Sequence, residues 1–272
     1  MRVHSVLPEP LAAAVEAARN ELEHVAHPAN GHMRAAEAAA ADPGALALIG
    51  PFRSRAVAEA VEATAPAGLP LIAPAATWVG VTRADEPGGE DDPARHRGTV
   101  LRMVARDTEV AARLAEDVRA AGQHAFVVAG THEYGAQLDG QLDHVGLPRA
   151  ERPEDADLVV LCGLAGEPEV ARAAGLALPV IAFDGVQGGA PLPDCSVLMP
   201  YAPGEDMGGT TAAARAMELV AAAWRGGAHD RPAMLAALRA AGRFDEHGDP
   251  ADPPVWLYRA GADWSLQPDR PL

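Results

Sequence analysis

The chain contains no lysine, so all 22 of its basic residues are arginine. It is also strongly acidic, with a formal net charge of -16 at pH 7. A chain of this charge lacks the basic surface that attracts phosphate backbones. We therefore expect no nucleic-acid partner. The missing lysine and the abundant alanine indicate a GC-rich genome and carry no information about function.

Cysteine and aromatic residues are also scarce. The two cysteines, Cys162 and Cys195, are too few for a disulfide framework, and each lies in or beside an apolar run. We expect both to be buried free thiols rather than a disulfide or a nucleophile. Hydrophobic residues make up 49% of the chain but aromatic residues only 4%, which predicts a core of alanine, valine and leucine.

No apolar run is long enough to span a bilayer, so we expect no membrane insertion. Residues 1–8 also lack the uninterrupted apolar segment and cleavage site of a signal peptide. As given, the sequence predicts a cytoplasmic protein; if a leader was removed, it predicts a periplasmic or extracytoplasmic one. A length of 272 residues fits one large domain or two lobes.

Two short apolar runs, residues 45–49 and 69–73, stop abruptly at glycine or proline and are separated by a segment of helical periodicity. This pattern predicts a β-α-β unit within a buried parallel sheet. The polar residues that follow the two strands then share the carboxyl edge of the sheet, where ligands bind in such folds. Ser54 and Thr77 are the first candidates for contact with a small anion.

The same alternation continues along the chain and predicts an α/β fold. Apolar runs predict strands at 3–7, 23–26, 45–49, 69–73, 99–104, 125–129, 158–161, 180–183, 197–199 and 254–258. Helical periodicity predicts helices at 10–22, 32–41, 54–65, 107–121, 135–145, 167–174, 210–224 and 231–241.

Catalytic and metal-binding motifs are not evident. The glycine-rich segments lack the lysine and serine or threonine of a phosphate loop, and no Gly-x-Ser-x-Gly occurs. His24, His27 and His32 lie close together, but their spacing mixes strand and loop, so we expect solvated histidines rather than metal ligands. We expect no cofactor and no metal.

Five segments, taken in order, resemble one family. Residues 47–77 read Ile-Gly-Pro before a serine and Leu-Ile-Ala-Pro-Ala-Ala-Thr after the next strand, and 100–107, 133–135, 182–185 and 243–264 follow in register. Together they resemble the type I periplasmic binding proteins of the leucine/isoleucine/valine-binding class. The resemblance spans nearly the whole chain.

The resemblance implies two doubly wound parallel-sheet lobes joined by three hinge crossings, which close on a ligand in the cleft between them. Lobe 1 would comprise residues 1–98 with 206–246, and lobe 2 residues 99–205 with 247–272. The hinges would lie near 98–102, 203–208 and 246–252.

It also implies a ligand-binding set. Ser54, Ala75, Ala76 and Thr77 match first-lobe positions that hold the carboxylate and ammonium of an amino acid. Tyr134 and Asp184 match second-lobe positions, and the acidic residue pairs with the ammonium. A zwitterion needs hydrogen-bond donors at one end and a carboxylate at the other.

Three function classes fit such a fold. The first is the solute-binding protein of an ABC importer, with a permease partner, or a ligand sensor derived from it. The second is a cytoplasmic accessory or regulatory protein that binds a ligand and contacts a regulatory partner without a transport role. The third, an enzyme on a two-lobed α/β fold, would require an acid-base pair in the cleft. We therefore expect a binding protein and no enzyme.

Overall fold

A computed structural model describes residues 1–83, 98–164, 166–186, 192, 195–201, 209–242, 244–261 and 265–272. The chain divides into two compact units. The first unit comprises Met1–Arg106 and Gly204–Pro253, and the second comprises Asp107–Pro203 and Pro254–Leu272. The chain thus passes between the units three times, as predicted.

The boundaries of the units differ from the predicted ones, which assigned residues 99–106 and 247–253 to the second lobe. Residues 100–102 form a strand that pairs with Leu71–Ala73 of the first unit. The Arg102 N–H donates to the Gly248 carbonyl at 2.8 Å. These pairings place both segments, and with them the predicted hinges at 98–102 and 246–252, in the body of the first unit. The predicted hinge at 203–208 lies outside the described residues.

The first unit is built on a five-stranded parallel sheet in the order β2-β1-β3-β4-β5. Its strands are β1 (Arg2–Val6), β2 (Glu23–His27), β3 (Ala45–Ile49), β4 (Leu71–Ala73) and β5 (Val100–Arg102). In this order the winding direction reverses between β1 and β3, which creates a crevice at their carboxyl ends.

Helices cover both faces of this sheet. They are α1 (Glu9–Ala18), α2 (His32–Ala41), α3 (Ser54–Thr64), α7 (Thr210–Arg225) and α8 (Arg231–Gly242). Alternate residues of β3 point to opposite faces, so Ala47 and Ile49 pack with α1, α7 and α8, whereas Leu48 packs with α2 and α3. The first unit is therefore doubly wound, as predicted.

The second unit contains a six-stranded sheet in the order β11-β10-β9-β8-β7-β6. Its strands are β6 (Ala125–Ala129), β7 (Leu158–Cys162), β8 (Val180–Phe183), β9 (Cys195–Met199), β10 (Trp256–Ala260) and β11 (Leu266–Pro271). Its helices are α4 (Asp107–Ala120), α5 (Glu133–His144) and α6 (Pro168–Ala174).

Two features of this sheet correct the prediction. Strands β6 to β9 are parallel, but β10 and β11 run antiparallel at one edge, so the sheet is mixed. Strand β11 was not predicted, because most of its residues are exposed and it contains no apolar run. At the other edge of the sheet, Arg149 forms an isolated parallel bridge with Ala125 of β6, and a single bridge is too short to be a strand.

Among the residues that the structure describes, no helix combines the length and apolar character needed to cross a membrane.

Candidate functional site

Ser54 lies where the sequence predicts, at the first position of α3 and directly after the turn that follows β3. Gly50 makes this turn with φ at +94°, and a Cβ there would lie 2.6 Å from the Val6 carbonyl oxygen. Only glycine fits such a position. The turn brings the half-buried Ser54 and the unpaired N–H groups of the first turn of α3 to the carboxyl edge of the sheet.

Residues 74–78 follow β4 and meet Ser54 at this edge. The Trp78 N–H donates to Ser54 Oγ at 3.2 Å. Within the described part of the chain, the N–H groups of Ala75, Ala76 and Thr77 donate no hydrogen bond. The Ala76 side chain is fully buried, so this residue can offer a ligand only its N–H group. The first-unit residues of the predicted site are therefore neighbours, and together they present donors suited to an anion.

Tyr134 and Asp184 come together in the second unit, although 50 residues separate them. The Tyr134 hydroxyl donates to Asp184 Oδ1 at 2.9 Å. Tyr134 lies in the first turn of α5, where its N–H donates to His132 Nδ1 at 3.1 Å. Gly135 allows α5 to pack closely against the sheet, because a Cβ at this position would lie 2.6 Å from the Cys162 carbonyl oxygen. Asp184 directly follows β8.

The carboxylate of Asp184 is only partly stabilised by its surroundings. Burial raises the pKa of Asp184, and the Tyr134 hydroxyl and the Gly185 N–H offset this only in part. Burial, and next the charge of Asp184, raise the pKa of the Tyr134 phenol, which therefore stays protonated and donates. A desolvated carboxylate with one side-chain donor is suited to a cationic ligand group.

Glu167 is a residue that the sequence analysis missed, because it was placed in the predicted helix 167–174. Its carboxylate accepts hydrogen bonds from the Leu164 N–H at 2.6 Å, the His132 N–H at 2.9 Å and the Thr131 hydroxyl at 3.1 Å. The Leu164 N–H is the main cause of its lowered pKa. Glu167 thereby joins the loop after β7 to the loop that precedes α5 and Tyr134.

Arg102 belongs to the family motif at 100–107, and it is among the most buried side chains of the first unit. It ends β5 and reaches the loop after β4, where its guanidinium donates to the carbonyls of Ala76 and Trp78. An arginine within an apolar run is the sequence signal that could have identified it, since a buried charge requires partners.

Both cysteines are buried and free, which confirms the prediction made from their positions. Burial raises the pKa of the Cys195 thiol to about 12 and that of Cys162 still further. Such thiols are almost entirely protonated at neutral pH and are poor nucleophiles.

The prediction of solvated histidines is wrong for His24, whereas His27 and His32 are half-buried. His24 is 2% exposed in its side chain and contacts Ser5 and Glu16, because α1 and β1 cover it. His32 contacts Glu59 at 2.6 Å. His27 Nε2 lies 3.0 Å from Nδ1 of the buried His4. Nor is there a group of three potential metal ligands within the described ranges.

His27 should make the protein less stable in mild acid. The pKa of His27 is lowered by burial and then by the neighbouring His4 and His24. Below about pH 6.5 the unfolded chain binds a proton at this position that the folded chain does not, so the free energy of unfolding decreases as the pH falls. Urea denaturation between about pH 7.5 and 5.5 measures the slope.

His27→Gln should reduce this slope, because glutamine keeps an N–H donor for His4 but does not titrate. The exposed His144→Gln is the matched control and should leave the slope unchanged. An identical slope in the wild-type protein and His27→Gln would contradict the prediction.

Solved structures of known proteins share this fold. Two structures of ABC transporter substrate-binding proteins from Desulfitobacterium hafniense align over 99% of both chains, at 20% and 19% identity and TM-scores of 0.77 and 0.74. The second is a complex with Leu. LivJ, a branched-chain amino acid transporter substrate-binding protein from Streptococcus pneumoniae in complex with isoleucine, aligns at 14% identity and a TM-score of 0.71, covering 100% of this chain and 99% of its own.

A solute-binding protein from R. palustris, solved with benzoate, aligns at 15% identity and a TM-score of 0.69, covering 99% of this chain and 95% of its own. No protein-family model matches the chain, and no curated protein is significantly similar to it. The structural matches extend over both units. The chain therefore has the type I periplasmic binding protein fold that its sequence predicted.

Proposed function

We propose that the protein binds a small carboxylate-bearing ligand, an amino acid or a close relative, as the solute-binding protein of an ABC importer or as a ligand sensor derived from one. The observation that carries this proposal is the opposite chemistry of the two predicted half-sites. The first unit presents the N–H groups of Ala75, Ala76 and Thr77, which find no acceptor among the residues that the structure describes. The second presents the desolvated carboxylate of Asp184.

These groups match the two ends of a zwitterion. The N–H groups and hydroxyls of the first unit, with the start of α3, bind the carboxylate of the ligand. Asp184, oriented by the Tyr134 hydroxyl, binds its ammonium group. The structural relatives support this choice of ligand, since their own structures contain leucine, isoleucine and benzoate, all of which carry a carboxylate.

A thermal-shift screen tests the proposal with leucine, isoleucine and benzoate as the first probes. Ligand at about 100 times its dissociation constant adds about 2.7 kcal/mol to the free energy of unfolding, which should raise Tm by roughly 5–10 °C. The matched controls are the amine 3-methylbutylamine, which lacks the carboxylate of leucine, and 4-methylpentanoate, which lacks its ammonium. A rise in Tm with the amine alone would refute the assignment of the first unit.

The proposed activity is binding without chemical conversion, so the protein would not be an enzyme. Leucine recovered after prolonged incubation with the protein should be unchanged by mass spectrometry, whereas an enzyme would leave a product. Import and sensing would use the same site and differ in the partner, a permease in one case and a regulatory protein in the other. Neighbouring permease and ATPase genes would support import, and a neighbouring regulator gene would support sensing.

A further inference from the structure

Arg102 connects the sheet of the first unit to the loop that carries the predicted ligand donors. Its side chain is 0% exposed. Nη1 donates to the Ala76 carbonyl at 2.7 Å, and Nη2 donates to the Trp78 carbonyl at 2.9 Å. Both carbonyls flank Thr77, so one guanidinium holds the loop on either side of that residue.

These two hydrogen bonds fix the direction of the intervening N–H group. In a trans peptide the carbonyl and the following N–H point in opposite directions. Because the Ala76 carbonyl points to Arg102, the Thr77 N–H points away from it. The Trp78 N–H is fixed in turn by Ser54 Oγ. The loop is thus oriented so that the Thr77 N–H is left without a protein acceptor in the described part of the chain.

The guanidinium is itself held in place by charge. Arg102 Nε donates to Asp249 Oδ1 at 3.0 Å, and Thr82 Oγ1 donates to the same oxygen at 2.6 Å. Arg83 and Arg106 contact the other oxygen of Asp249 at 3.0 and 3.4 Å. Asp249 is 4% exposed in its side chain, so these charges interact with little screening by water. A buried arginine with this set of partners cannot easily turn away from the loop.

We propose that Arg102 is a positioning residue of the ligand site, which holds the Ala76 and Trp78 carbonyls inside the first unit so that the Thr77 N–H and hydroxyl remain available to a ligand anion. Arg102 does not touch the ligand. The proposal rests on the proposed function for the identity of the ligand, but the anchoring of the loop is a property of the protein alone and can be measured without ligand.

Arg102→Lys tests the proposal, because lysine keeps the charge but cannot donate to two carbonyls and Asp249 from a planar fork. Arg231→Lys is the matched control. Arg231 lies in the same unit and donates to the backbone carbonyls of Ala39, Ala40, Asp42, Ala45 and Ala67. None of these residues belongs to the loop 74–78. Both variants lose guanidinium hydrogen bonds to backbone carbonyls, but only Arg102→Lys loses them at residues 76 and 78.

Hydrogen exchange measured by mass spectrometry tests, without ligand, whether Arg102 anchors the loop. Amides 75–79 are protected by the burial of Ala76 and by the hydrogen bond from the Trp78 N–H to Ser54 Oγ. We expect them to exchange about 10- to 100-fold faster in Arg102→Lys than in the wild-type protein, because the loop that holds them loses its charged hydrogen bonds. Arg231→Lys should leave these amides within about twofold of wild type. Equal acceleration in both variants, or none in Arg102→Lys, would overturn the proposal.

Leucine titration by calorimetry gives the second result. The dissociation constant should rise about tenfold or more in Arg102→Lys and stay within about twofold in Arg231→Lys. Unchanged leucine affinity in Arg102→Lys would also overturn the proposal. If the wild-type protein bound neither leucine nor benzoate, the proposed function would fail, while the exchange comparison would still decide whether Arg102 anchors the loop.

Thr82→Val is the second variant in case Arg102→Lys does not fold. Valine has nearly the shape of threonine, and it removes the hydroxyl that joins Arg102 Nη2 at 2.8 Å to Asp249. It leaves every charge of the cluster in place. Faster exchange of amides 75–79, by a smaller factor than in Arg102→Lys, supports the proposal, and unchanged exchange contradicts it.

Discussion

Asp184→Asn should weaken the binding of leucine by about 2–4 kcal/mol, or roughly 30- to 1000-fold in dissociation constant. Asparagine keeps the shape of Asp184 and its contact with the Tyr134 hydroxyl but removes the negative charge. The ligand ammonium would then be buried without a counter-ion, and this accounts for the large loss. Isothermal calorimetry with leucine measures it.

The same substitution should not destabilise the ligand-free protein. The pKa of Asp184 is raised in the fold, mainly by burial, so folding disfavours its charged form, and this cost is present above the folded pKa. Asparagine carries no such cost. We therefore expect a free energy of unfolding at pH 7 that is equal to or higher than that of the wild-type protein, as measured in urea.

Two controls show whether the loss of affinity comes from contact between Asp184 and the ligand ammonium. Binding of 4-methylpentanoate, which lacks the ammonium group of leucine, should change far less in Asp184→Asn. The exposed Glu133→Gln removes one negative charge next to Tyr134 and should leave leucine affinity nearly unchanged. Equal losses for leucine and 4-methylpentanoate would mean that Asp184 organises the site without contacting the amine.

The second large effect is expected in the stability of the first unit. Asp249→Asn should lower its free energy of unfolding by about 3–5 kcal/mol, because it leaves the buried Arg102 without its charge partner. Arg83 also contacts Asp245, whereas the Nε of Arg102 pairs with Asp249 inside the first unit. Urea denaturation followed by circular dichroism measures the loss.

Asp117→Asn provides the contrast for this measurement. Asp117 pairs with both terminal nitrogens of Arg270 in the second unit, at 2.7 and 2.5 Å, but at the surface. Surface ion pairs contribute about 0–1 kcal/mol, so this variant should unfold almost like the wild-type protein. Similar small losses in both variants would show that Asp249 is not required to balance the buried arginine.

The sequence predicted the elements well where burial is continuous. Strands β3, β6 and β8 begin and end at the predicted residues, because each is an apolar run flanked by glycine, proline or polar residues. Strand β11 has no such run, because only its pairing with β10 makes it a strand. Edge strands with exposed residues carry little periodicity, so local patterns do not identify them.

Some of the candidate site residues could be selected from the sequence for a related reason. Ser54 and Thr77 could be selected because parallel strands end at a common edge, and this follows from local patterns. The contacts of Asp249 with Arg102 and Thr82 join residues that are 147 and 167 positions apart in the chain. His24 likewise becomes buried only after α1 packs over it. No local sequence pattern specifies such long-range contacts.

Under the proposed function, the hydrogen bonds of Glu167 bear on which end of a ligand the second unit accepts. In the second unit the donors of Thr131, His132 and Leu164 are already occupied by an internal anion. A ligand carboxylate entering there would have to displace Glu167, whereas the N–H groups of Ala75, Ala76 and Thr77 in the first unit donate no hydrogen bond to any described residue. The protein would thus distinguish the carboxylate of an amino acid from its ammonium group independently of the ligand's side chain. A reversed ligand would meet carboxylates where it needs donors.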